Sequence, residues 1–170
     1  MSVLDKILSA GGGGVVEQLA GQFGIHADQA GSAISGLLPA LAGGLKEKLS
    51  SGTGSALSSL ISSGSLSKFA DDPANLASPE ALTQGNSLLK QIFGGGDLST
   101  IATSVAQKAG ISSSVITAML PIAATLLGGL LSKSTGAGHG SLTDIVGAIA
   151  DAGHGGLMGS LKSFASKVLG

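Results

Sequence analysis

Residues 11–45 and 93–130 carry the same ordered signals twice: a glycine run, a short apolar helix, a Gly-Ile step and a longer helix with a proline inside it. The first copy holds Gly12-Gly13-Gly14, Gly24-Ile25 and Leu37-Leu38-Pro39; the second holds Gly94-Gly95-Gly96, Gly110-Ile111 and Met119-Leu120-Pro121. Glycine runs and prolines are both 82 residues apart (Gly94 against Gly12, Pro121 against Pro39), whereas the Gly-Ile steps are 86 apart (Gly110 against Gly24). That difference of four residues is about one helical turn, so one helix grows by a turn where the next shrinks. Such self-similarity predicts a chain built from a repeated supersecondary unit, two related but unequal copies packing as pseudo-symmetric partners.

Apolar residues recur at helical spacing and no stretch alternates with period two, which predicts an all-α fold. Residues 2–10 read as a short helix with a capping-box-like start at Ser2 and Asp5, ended by the run Gly11–Gly14. Residues 15–23 form the next helix, and a longer one follows Gly24-Ile25 to about residue 49, closing on Lys46, Glu47 and Lys48. The serine- and glycine-rich stretch 50–78 allows short helices at 56–61 and 66–70, and Asp71-Asp72-Pro73 stops the chain. Ser78-Pro79-Glu80 opens a helix to about Phe93, with a capping serine, proline at the first helical position and an acid in the first turn. Asp97 is expected to cap a helix with one apolar stripe, Leu98, Ile101, Ala102, Val105, Ala106 and Ala109. After Gly110-Ile111 the helix holding Pro121 runs to about Ser132. Two amphipathic segments end the chain, one carrying Leu142, Ile145, Val146 and Ile149 and one carrying Leu157, Leu161, Phe164 and Val168. The expected architecture is a multihelical bundle of two related helical units, 1–76 and 77–135, with proline-kinked central helices and a glycine-rich tail, 136–170.

Composition narrows the function. All nine basic residues are lysine, Tyr and Trp are absent, and the net charge is −1. Arginine is the side chain suited to bidentate phosphate contact and base stacking, so nucleic-acid binding is not expected. Charged residues make up 11% of the chain, which leaves little repulsion between copies and apolar patches without charged guards. The absence of cysteine excludes disulfides, thiolate metal sites and cysteine nucleophiles. Asp5 and Lys6 interrupt the first apolar stretch, so no secretory signal is read and cytoplasmic residence is the expectation.

A proline within a helix removes one backbone hydrogen bond and pushes away the carbonyl four residues earlier, here that of Ser35 or Thr117. Bending around a shared core, with a nearby hydroxyl satisfying freed backbone groups, accounts for both prolines. Residues 109–132 carry no charge and are long enough to span a bilayer, so insertion of the proline helices is the alternative. The central proline, the serine triplet at 112–114, the absence of interfacial Trp or Tyr, and a single lysine on each flank (Lys108, Lys133) speak against it.

No motif supplies chemistry. His139 and His154 share a GHG context and flank Asp144 and Asp151, but the spacing is not a compact metal-ligand pattern, and His26 stands apart. Gly11–Gly14 is followed by no Gly-Lys-Ser/Thr, and Asp97 occupies the place a phosphate would take after Gly94–Gly96. No GxSxG elbow or SxxK pair is present, and Asp71-Asp72 reads as a solvated turn. No catalytic, cofactor-binding or metal residue is therefore assigned, and no enzyme is expected.

The series Ser78-Pro79-Glu80, Leu88-Leu89-Lys90-Gln91-Ile92-Phe93-Gly94-Gly95, Ile101-Ala102, Ala109-Gly110-Ile111-Ser112 and Met119-Leu120-Pro121-Ile122-Ala123 resembles the bacterial YidB-like family of unknown function. The resemblance is best over residues 78–133, with a looser duplicate at 11–50. It implies a soluble multihelical bacterial fold and transfers no catalytic or binding residue. The expectation is a non-enzymatic helical protein acting through self-association or protein contact, as a homo-oligomer. Membrane association through the proline helices is the alternative, and a carrier of a small apolar ligand held between the units is a third.

Overall fold

A computed structural model describes residues 13–94, 96, 98–136 and 142–154. Every element among them is helical: α1 (Gly13–Phe23), α2 (Ala27–Ser50), α3 (Ser55–Ser62), α4 (Ser67–Asp71), a 3-10 turn (Pro73–Ala77), α5 (Pro79–Phe93), α6 (Leu98–Ala109), α7 (Ser113–Gly136) and α8 (Leu142–His154). The all-α expectation holds. The helix expected at 2–10, the Asp97 cap and the second tail segment lie outside the described residues.

Local chemistry sets the boundaries. Ser78 Oγ accepts from the Ala81 N–H at 3.2 Å at the start of α5, with Pro79 at its first position. Gly94, left-handed at φ 61°, ends that helix and donates its N–H to the Lys90 carbonyl at 2.8 Å. At the acidic stop, extended Asp72 caps the 3-10 turn through its Oδ1 and the Ala74 N–H at 3.1 Å. Of the first glycine run, Gly13 and Gly14 are the first two residues of α1, and the stop expected for the 2–10 helix falls outside the described residues. A first turn has the fewest intrahelical hydrogen bonds to make, so weak propensity is tolerated there.

Two helices of 24 residues, α2 and α7, form the centre, each about 36 Å long at 1.5 Å per residue. Both continue through their prolines, Pro39 and Pro121. The Thr117 hydroxyl donates to the Ser113 carbonyl at 2.8 Å and so does not satisfy the carbonyl that Pro121 leaves without a donor. Around α7 stand α5, α4, α6, α2 and α3; against α2 lie α8, α6, α1 and α7. One hydrophobic core results, filled by Leu37, Leu41 and Leu45 of α2, Phe69 of α4, Leu88 of α5, Val105 of α6, Ile116, Leu120 and Leu131 of α7, and Val146 of α8. Helix α7 has a weakly amphipathic sequence because neighbours cover it on nearly every side.

Candidate interaction surface

Both Gly-Ile steps fold into the same turn. Gly24 and Gly110 are left-handed, at φ 64° and 68°, a conformation open to glycine at little cost. Ile25 then donates its N–H to the Ala20 carbonyl at 3.0 Å, and Ile111 donates to the Ala106 carbonyl at 3.2 Å, the six-to-one bond of a Schellman ending. Each turn releases the chain into a central helix. A single side chain ties the two together: Gln29 Oε1 accepts from the His26 N–H at 3.2 Å, while its Nε2 donates to the Gly110 carbonyl at 3.2 Å. The α1–α2 and α6–α7 turns therefore lie side by side at one end of the bundle.

From that end the outer face of α6 extends as an exposed hydroxyl and amide strip, Ser99, Thr100, Thr103, Ser104 and Gln107, lining a shallow open groove of about 340 Å³. Exposed Ser112, Ser113, Ser114 and Thr117 continue it onto α7, which packs against α6. Between residues 98 and 132 the one charged side chain is Lys108. Two of the threonine protons on this surface are already engaged within the helices, Thr103 on the Ser99 carbonyl at 2.9 Å and Thr117 on the Ser113 carbonyl at 2.8 Å. Contact with another protein would strand neither proton and would bury little charge. The groove is polar and open, so it is not the apolar pocket that a ligand carrier needs.

The residues weighed for chemistry are dispersed. His26 is exposed at the start of α2, and Asp144 is exposed in the first turn of α8. His139 and the side chains of Asp151 and His154 lie outside the described residues. Asp71 pairs with Lys133, and its neighbour Asp72 caps the 3-10 turn, so the two acids have separate structural tasks. Among the described residues no group of three or more His, Cys, Asp or Glu converges on a metal site.

The span 113–133 is long and apolar enough to cross a membrane, with a mean hydropathy of 1.9, but 72% of its apolar window is buried inside the protein. Its most deeply buried polar residue, Thr125, donates to the Ala81 carbonyl of α5 at 2.6 Å and lies 2.9 Å from the Pro121 carbonyl. Sequence periodicity held no sign of this contact, because a lone threonine in an apolar run has no pattern of its own.

The family model described as "Bacterial protein of unknown function (DUF937)" matches residues 5–134. The chain belongs to this family. YidB is a member of the family as well, so the resemblance noted over residues 78–133 is confirmed and extends through α1 and α2. Within the DUF937 match lie both Gly-Ile turns, α2, all but the last two residues of α7, and the uncharged strip; α8 lies beyond it. No curated protein and no solved structure matches the chain.

Proposed function

We propose that this DUF937 protein is a non-enzymatic cytoplasmic protein that acts by associating with further copies of itself, with the α6–α7 face as the contact. The carrying observation is the uncharged strip from Ser99 to Thr117, broken only by Lys108, on which two threonine protons are already satisfied. A surface whose one charge between residues 98 and 132 is Lys108 asks little desolvation of ions on contact, and a net charge of −1 adds little long-range repulsion. The repeated Gly-Ile geometry supports treating α1–α2 and α6–α7 as related units within each copy. Sedimentation velocity over a wide concentration range tests the proposal. Wild type is expected to grow in mass with concentration, and Thr103→Lys, which places a charge in the strip, to shift the distribution toward monomer. A chain that stays monomeric throughout overturns the proposal.

Membrane association is the second reading, favoured by the length and hydropathy of the span 113–133. To enter lipid, α7 would have to give up the burial of Ile116, Met119, Leu120, Leu127 and Leu131, and the remaining helices would lose the centre of their core. Flotation with liposomes separates the two readings: movement of the folded protein with lipid favours insertion, and retention at the bottom of the gradient favours the core role.

A further inference from the structure

The end of the bundle where the two Gly-Ile turns meet carries exposed charges of opposite sign, one on each turn. Asp28 lies in the first turn of α2 beside Gln29, and Lys108 lies in the last turn of α6, two residues before the Gly110 carbonyl that Gln29 reaches. Both are exposed, and neither side chain makes an ion pair or hydrogen bond among the described residues. Asp28 is the one charged residue between Glu17 and Lys46, as Lys108 is between residues 98 and 132. Around them Phe23, Ile25, Ile111 and Val115 are half-buried against the core, Gly24, Ala27 and Gly110 are exposed, and His26 is the other titratable side chain.

We propose that this end binds the same end of a second copy across a two-fold axis, with Asp28 of each chain facing Lys108 of the other. This rests on the self-association reading and gives it a register, because Lys108 belongs to the α6–α7 strip. The occupant follows from charge. A two-fold contact requires a surface that complements itself, and one acid and one base on neighbouring turns meet that condition twice. An acidic partner would set its charge against Asp28 and a basic one against Lys108, whereas a rotated copy opposes neither. The half-buried side chains of Phe23, Ile25, Ile111 and Val115 lose their remaining water in the contact and supply attraction without direction; the two charge pairs fix the orientation. A contact of this kind closes at the dimer.

Exchanging the charges tests the pairing. Asp28→Lys gives an end with two lysines and Lys108→Glu an end with two acids, so each variant repels its own copy and attracts the other. Sedimentation velocity and native mass spectrometry read the masses. Each variant alone is expected to dimerise about tenfold more weakly than wild type or worse, and an equimolar mixture to form dimers holding one chain of each. Both substitutions oppose the dipole of their helix ends, so circular dichroism checks the fold. Asp28→Asn combined with Lys108→Gln removes the charges without that conflict; this variant is expected to dimerise more weakly than wild type and to lose the wild-type dependence on salt. A neutral variant with the affinity and salt dependence of wild type, or folded charge variants whose mixture yields no mixed dimer, overturns the end-to-end contact. In either case a wild type that still gains mass leaves self-association standing, whereas wild type that stays monomeric throughout removes both.

Discussion

Gly85 of α5 lies against the backbone of Pro121 on α7, so close that a methyl group at Gly85 would come 1.9 Å from the Pro121 carbonyl oxygen and 2.7 Å from Thr125 Oγ1. The obstruction is helix backbone, which cannot swing aside as a flexible side chain can. Gly85→Ala is therefore expected to force α5 and α7 apart and to cost about 3 kcal/mol or more, despite alanine's better helix propensity. Urea unfolding measures it; a variant as stable as wild type would mean that the two helices do not cross at this distance.

Thr125 is the polar counterpart of that contact. Thr125→Val keeps the shape and removes the hydroxyl that donates to the Ala81 carbonyl. The expected loss is about 1–2 kcal/mol, with helix content unchanged by circular dichroism.

Gln29 joins the two Gly-Ile turns. Gln29→Glu retains an acceptor for the His26 N–H but cannot donate to the Gly110 carbonyl, so the cap survives and the bridge does not. A loss of about 1 kcal/mol is expected, with faster hydrogen exchange at Ile111 and the first turn of α7. Unchanged exchange there would show that the turns hold their places without the bridge.

The surface ion pairs should matter far less. Lys133–Asp71 and Lys68–Glu80 are more than half exposed at every partner. Lys133→Ala is expected to change stability by less than about 1 kcal/mol, and the change should shrink further in high salt. The contrast with Gly85 is internal to one helix, since Lys133 and Pro121 both belong to α7.

Much of the architecture was legible because its causes are local. Ser78-Pro79-Glu80 marks a helix start through the bond from the Ala81 N–H to Ser78 Oγ, and Gly24-Ile25 and Gly110-Ile111 mark helix ends because few residues other than glycine accept the left-handed turn. The apolar stripe of α6 pointed inward as its spacing required, with Ala102, Val105, Ala106 and Ala109 buried. Helix α7 was ambiguous for a physical reason: an all-round apolar helix satisfies lipid and a protein core alike, and only its neighbours distinguish them. The uncharged strip was present in the composition between residues 98 and 132, but its exposure depends on which face of α6 the apolar stripe buries.

By itself the sequence determined the helices, their caps and the positions where the chain turns, because those depend on hydrogen bonds and dihedral angles within a few residues. Tertiary structure decided which glycine is a turn and which a point of contact. Gly94 ends a helix, while Gly85, equally plain in sequence, admits the Pro121 backbone. It also placed α8 on α2, joined the two Gly-Ile turns through Gln29 and enclosed α7. Each of these depends on surfaces that meet only after distant segments pack, and a close approach of two backbones leaves no periodic trace along either one.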